Sequence, residues 1–236
     1  MTADLTTGMS AVVFDFYGTL TPVSPPQAWA GNAARLAGVM GVPAGELGRV
    51  LAETFPDRIT GAFGDVRQTM QVLAGRLDVG LDHEQLDAAT AVRREVQEAM
   101  FALRPETLPV LTRLRERGLR IGLVSDCTSE LPDAWPRLPL ATLVDAPVFS
   151  CVERMRKPDP RLFGKVAAEL RAVPSGCLYI GDGGGNELTG ASAVGMSAVL
   201  LAGPDWRQNR ALDRWHGDAG WAGLRIASLT ELCPQP

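Results

Sequence analysis

Short apolar runs that each meet a polar residue recur along this chain, separated by stretches with helical spacing. That alternation is what most narrows its possible folds. Residues 11–15, AVVFD, close on an acid; 119–124, LRIGLV, run into Ser125; 148–150 read VFS; 177–181, CLYIG, precede Asp182; and 197–201 read SAVLL. Runs this short and this apolar read as buried strands. Between them the pattern predicts helices over 105–117, closed by Gly118, over 160–171 and over 186–195. A last short strand is expected near 224–227. Strands alternating with helices of about 10–15 residues specify an α/β fold, a parallel sheet covered by helices on both faces.

One segment breaks the alternation. Apolar residues recur at helical spacing through roughly 25–103: Ala33, Leu36, Ala37 and Met40, then Leu77, then Val92, Val96, Ala99 and Met100. Gly41-Val42-Pro43 and Pro56 punctuate the stretch. With 236 residues, the chain is long enough for one large domain or a domain with an insertion. Residues 21–103 therefore read as a helical cap domain inserted after the first strand, leaving 1–20 and 104–236 as the core.

Charge and cysteine content exclude several classes of function. Twenty-three basic residues against 27 acidic ones give a net charge of −4. Such a balance offers nothing to nucleic acid or to an anionic membrane. No apolar run approaches the roughly 18 residues of a spanning helix, and the segment MTADLTTGMSAVVF has no basic region of the kind that opens a secretory signal. Cys127, Cys151, Cys177 and Cys233 are scattered without a CxxC pair, which suggests a reduced, cytoplasmic setting and no zinc site. His83 and His216 read as surface or packing residues.

In an open parallel sheet, functional groups gather at the carboxyl ends of the strands. Here those ends and their adjoining loops bring together Asp15, Ser125, Lys157 and Asp182. A carboxylate can attack phosphorus, a cation held by acids can neutralise charge, and a hydroxyl with an ammonium can hold phosphoryl oxygens. Only Lys157 and Lys165 among the basic residues are lysines, so a lysine in this loop points to a need for a compact ammonium. Gly183-Gly184-Gly185 lets the backbone approach an ion closely, and GDGGGN lacks the spacing of a dinucleotide fingerprint. Asn186 is the better candidate than Glu187 for a helix cap.

Taken in order, DFYGTLT (15–21), LVSD (123–126), RKPDP (156–160) and GDGGGNE (181–187) resemble the haloacid dehalogenase superfamily of hydrolases over residues 11–201. The resemblance implies a Rossmann-like core with an inserted helical cap, and Asp15 as a nucleophile that forms an aspartyl intermediate. It implies Ser125 and Lys157 as the second and third motifs, with Thr19 and Asp126 also facing substrate. It implies Mg2+ held by Asp15, the Tyr17 backbone carbonyl, Asp182 and Glu187, the last directly or through water.

Tyr17 departs from the phosphatases of the superfamily, which carry an acid–base Asp at that position; D-x-Y-G-T-L resembles the dehalogenase branch instead. Halide departs without a proton, so tyrosine does no harm there, whereas losing a positioned acid–base group costs an ester hydrolase roughly 10²–10⁴-fold. The acids of the fourth motif point the other way, since dehalogenases carry a neutral segment there and need no metal. Asp126, where they carry Asn, adds further negative charge and could serve as a distant base. The reading favoured is a Mg2+-dependent phosphatase of a small phosphorylated metabolite, monomeric or homodimeric. The alternatives are a 2-haloacid dehalogenase using Asp15, or a non-catalytic binding protein on the same fold. The segment TFPDRITGAFGD (54–65) reads as a substrate-facing loop of the cap, with Asp57, Arg58, Asp65, Arg67 and Gln68 as polar candidates and Arg58 as an anion grip.

Overall fold

The computed structural model describes residues 4–206, 217–218 and 220–233. His216 lies outside the described residues. The sheet contains β1 (Ala11–Phe14), β2 (Arg120–Ser125), β3 (Ala146–Phe149), β4 (Cys177–Gly181), β5 (Ser197–Leu201) and β6 (Leu224–Ile226). Its order is β3-β2-β1-β4-β5-β6, and every pairing is parallel. The order reverses beside β1, so a crevice opens between the carboxyl ends of β1 and β4, where ligands bind in such sheets.

Between β1 and β2 lie α1 (Pro26–Met40), α2 (Ala44–Glu53), α3 (Phe55–Ile59), α4 (Val66–Arg76), α5 (His83–Glu98) and α6 (Thr107–Glu116). The remaining helices are α7 (Glu130–Ala134), α8 (Ser150–Glu153), α9 (Pro160–Glu169) and α10 (Glu187–Ala193). Because β1, β2 and β4 are buried on both faces, their residues alternate between two cores. Val12, Phe14, Ile121, Leu123, Leu178 and Ile180 join Leu111, Leu114 and Trp135 on one side. Val13, Val124 and Tyr179 join Leu162, Phe163, Val166 and Leu188 on the other.

α1, α2, α4 and α5 close around a separate apolar cluster of Leu36, Met40, Leu47, Met70, Leu73 and Leu86. Pro26 starts α1, and Gly41, left-handed at φ 69°, ends it. Capping boxes start α4 (Asp65 with Gln68) and α5 (Asp82 with Gln85). This explains a difference from the sequence reading of 54–65. Phe55–Ile59 is helical, Asp65 and Gln68 are occupied in the α4 cap, and Arg67 pairs with Asp87. Periodicity cannot register a single helical turn such as α3.

Candidate active site

The site begins where β1 stops. Asp15 continues the strand pairing, its N–H donating to the Ile180 carbonyl at 2.9 Å. The chain then turns through Phe16–Leu20, with Gly18 at φ 76°. A Cβ on Gly18 would stand 2.2 Å from Asp182 Oδ2, so glycine is needed for the backbone angle and for contact with the neighbouring acid. Arg104 clamps the turn from outside. Its guanidinium donates to the carbonyls of Thr19 (3.0 Å) and Gly18 (2.9 Å) and pairs with Asp205 (2.9 Å).

Across the crevice, β4 delivers Asp182, and α10 delivers Glu187. Suitable oxygens of Asp15, Asp182 and Glu187 all lie within 4.8 Å of one another, and each residue is at most 5 % exposed. Lys157 Nζ donates to Asp15 Oδ1 at 2.6 Å and to Glu187. Glu187 also accepts from the Tyr179 hydroxyl (2.8 Å) and the Gly183 N–H (2.9 Å), while Asp182 Oδ1 accepts from the Gly184 N–H (3.0 Å). The Lys157 N–H donates to Asp126 Oδ1 at 3.0 Å, tying the second motif to the third.

Burial and then the charge of Asp15 push the Asp182 carboxyl up to about 7. Burial drives Glu187 well above the carboxylate range; Lys157 opposes that rise, and Asp15 and Asp182 add to it. For Lys157 burial works against the charge, but Asp15 and Glu187 prevail and hold the ammonium well above its usual value. Three carboxylates buried this close together could hold a cation, which would offset the burial and mutual repulsion that raise Asp182 and Glu187. Beside them, the hydroxyls of Thr19 and Ser125 are fully buried and have no hydrogen-bond partner among the described residues. Unfilled buried hydroxyls are costly in a resting fold and suit a ligand's oxygens.

A family model described as haloacid dehalogenase-like hydrolase matches residues 9–195, which include all four motifs. The chain belongs to this hydrolase family. Among curated relatives of this hydrolase, haloacid dehalogenase-like hydrolase domain-containing protein 3 of Bos taurus is 34 % identical over 91 residues, covering 39 % of this chain and 36 % of that protein. A glyceraldehyde 3-phosphate phosphatase of Methanopyrus kandleri is 28 % identical over 126 residues, 52 % of this chain and 54 % of its own. A phosphatase of Mycobacterium tuberculosis is 27 % identical over 201 residues, 82 % of this chain and 87 % of its own. The chain spans about half or less of the length of the first two. A 2-haloacid dehalogenase structure from Pseudomonas syringae superposes with a TM-score of 0.68 at 23 % identity, covering 95 % of this chain and 96 % of that one, which shows the shared fold.

The helical insertion leans on the carboxyl edge of the sheet at two places. The Ser150 hydroxyl donates to the Ile59 carbonyl at 2.6 Å. Arg93 of α5 pairs with Glu130 of α7, and both are buried. Arg58 sits among the helices and does not join the acids. Its guanidinium donates to the Leu51 carbonyl (2.6 Å) and the Thr54 hydroxyl (3.3 Å) and lies over the Phe55 ring. Tyr17 is half-buried, in edge contact with Phe16, and near Phe101. Sequence reasoning missed Arg104, Tyr179, Arg93 and Glu130. Of these only Tyr179 carried a signal, a lone hydroxyl inside an otherwise apolar strand.

Proposed function

We propose that this hydrolase is a Mg2+-dependent phosphatase of a small phosphomonoester, working through an aspartyl phosphate on Asp15. What supports the reading is the charge balance of the crevice. Asp15, Asp182 and Glu187 face one ammonium, that of Lys157, in a space closed to water. Like charges so placed must take up protons or a cation. Asp15 and Asp182, with the Tyr17 carbonyl, would hold the ion, and Glu187 would complete the set, directly or through water. Bound there, Mg2+ would supply charge neutralisation at the phosphoryl oxygens. The names of the phosphatase relatives agree with this, as does a structure with this fold (TM-score 0.61, 15 % identity) that contains magnesium and inorganic phosphate.

The chain's own residues then divide the work. Asp15 attacks phosphorus, and the ester oxygen leaves with the bonding pair. Lys157 and the Thr19 and Ser125 hydroxyls hold the phosphoryl oxygens, and Asp126 fixes the Lys157 backbone. Water then cleaves the acyl phosphate and frees Asp15. Since Asp15, Thr19, Ser125 and Lys157 are at most 5 % exposed, substrate enters by movement of residues 21–103, acting as a cap over a core of 1–20 and 104–236. Such closure is how lids exclude water and select substrates. Arg58 would meet an anionic part of the substrate only by leaving the Leu51 carbonyl and the Thr54 hydroxyl in that movement. A small phosphorylated metabolite in the cytoplasm fits these features, and among the described residues no helix is long and apolar enough to cross a membrane.

Phosphate release from p-nitrophenyl phosphate with Mg2+ tests the proposal. Release should stop with EDTA and with Asp15→Asn. Tyr17 is the one observation favouring a dehalogenase. Chloride release from 2-chloropropionate that survives EDTA, without phosphate release, would replace the phosphatase reading with that one.

A further inference from the structure

Two cysteines stand next to the catalytic edge, and the mechanism uses neither. Cys127 Sγ and Cys151 Sγ are 3.9 Å apart, and all four cysteines are free thiols. The sheet puts them there. β2 and β3 run parallel with Ser125 opposite Phe149, and just past those strand ends Cys127 in the loop after β2 and Cys151 in α8 bring their sulfurs together. Ser150 holds the two loops together, its hydroxyl accepting from the Cys127 N–H at 2.9 Å while donating to Ile59. A Cβ on Gly61 would come within 2.1 Å of the Cys151 carbonyl, so the turn after α3 rests directly on this spot.

The two thiols are unequal. Cys127 is buried and Cys151 is half-exposed. Burial raises the Cys127 thiol, while the contact between the two sulfurs lowers that of the more exposed Cys151. Cys151 is therefore the thiol that an oxidant reaches first and that ionises more readily. Cys177, at the amino end of β4, lies at the opposite edge of the sheet.

We propose that Cys127 and Cys151 are a redox modification site, closing to a reversible disulfide under peroxide and slowing turnover when closed. The Cys151 thiolate attacks one peroxide oxygen, giving a sulfenic acid and, with a proton, water. The Cys127 sulfur then displaces the sulfenic oxygen as a second water, forming the S–S bond. Two thiols are oxidised by two electrons, and one peroxide is reduced to two waters. Closure draws the sulfurs from 3.9 Å to about 2.05 Å. Cys127 follows Ser125 and Asp126 directly, so the strain falls on the loop that presents them. Misplacing such groups by about 1 Å can cost on the order of 10²-fold in rate. The slowing of turnover rests on the proposed phosphatase activity; the disulfide itself does not.

The test treats reduced full-length protein with hydrogen peroxide, alkylates the remaining thiols and maps peptides by mass spectrometry, measuring p-nitrophenyl phosphate turnover in parallel. The expected result is a Cys127–Cys151 linked peptide lacking two hydrogens and at least a tenfold slower turnover, both reversed by dithiothreitol. Cys151→Ser and Cys127→Ser should each lose the linked peptide, and Cys151→Ser should keep its turnover through the same treatment. Sulfinic acid on Cys151 without a bridge, or bridges through Cys177, Cys233 or a second copy, would overturn the site. A 127–151 bridge with unchanged turnover would overturn the control of activity. Reduced protein that releases no phosphate would overturn the proposed function, while the peptide map still decides the disulfide.

Discussion

Replacing Arg93 with methionine isolates the bond that fastens the helical insertion to the sheet. Arg93 and Glu130 are 5 % and 3 % exposed, with Nε 2.5 Å from Oε1. With its oxygen turned toward Arg93, Gln97 accepts from both terminal guanidinium nitrogens, at 2.6 and 3.1 Å. Burial alone would raise the Glu130 carboxyl, but Arg93, helped by hydrogen bonds from Thr128 and the backbone, overrides it and holds the pKa below the ordinary glutamate value. Arg93→Met leaves a buried carboxylate unpaired, at a cost of roughly 3–5 kcal/mol. For a chain of this length that is about 6–20 °C in Tm, at roughly 2–4 °C per kcal/mol. The effect has a defined pH dependence. In the parent, a depressed folded pKa adds stability above the unfolded value of about 4.3, and this is lost as pH falls through the folded pKa. In the variant, burial is opposed only by the hydrogen bonds from Thr128 and the backbone, so the folded pKa is expected to rise above the unfolded value; the penalty is then absent below about 4.3 and grows with pH. Urea unfolding at pH 8 and pH 4.5 should therefore show a wide gap between the proteins at pH 8 and a narrower one at pH 4.5. Arg93→Met/Glu130→Leu should recover most of the loss. A loss under about 1 kcal/mol at pH 8, or an equal gap at both pH values, would refute the reasoning.

Two further substitutions probe the crevice. Gly18→Ala puts a methyl on Asp182 at a positive φ; it should weaken Mg2+ uptake by calorimetry and reduce phosphate release on the order of 10²-fold, and unchanged uptake would contradict the close approach. Ser125→Ala removes a buried hydroxyl that has no partner among the described residues, so chemical denaturation should find stability equal or higher by about 1 kcal/mol, while KM for p-nitrophenyl phosphate rises; a destabilised variant with normal kinetics would make Ser125 a structural residue.

The parts legible in the sequence are those that physics writes locally. AVVF, LVS and CLYIG are apolar because parallel strands are buried on both faces, so strand identity and the polar residues at their ends could be read together. What the sequence concealed depends on distant segments meeting. Arg104 lies 85 residues from the Thr19 carbonyl it holds, and Arg93 lies 37 from Glu130. In a chain that uses arginine so freely, neither stands out before folding. Arg58 shows the reverse problem: its loop composition suggested a free anion grip, yet α3 directs its guanidinium onto the Thr54 hydroxyl and the Leu51 carbonyl.

Tyr17 determines which half of the proposed reaction is slow. Burial first, then the neighbouring Cys127 and Glu130, push its hydroxyl well above the usual phenol range. It therefore keeps its proton at neutral pH and cannot take one from water. An aryl phosphate loses its phenolate without needing that proton, so the attack by Asp15 goes unhindered. Opening the aspartyl phosphate does need a base, and losing a positioned one costs roughly 10²–10⁴-fold. Rapid mixing with p-nitrophenyl phosphate should give a burst close to one nitrophenol per protein, followed by a slow steady rate with phosphate appearing only at that rate. Tyr17→Asp should accelerate the steady phase and shrink the burst. If nitrophenol and phosphate instead appear together from the first turnover, and Tyr17→Asp is no faster, then another group, with Asp126 the nearest acid in sequence to Ser125, supplies the base, and Tyr17 acts in packing against Phe16 and Phe101.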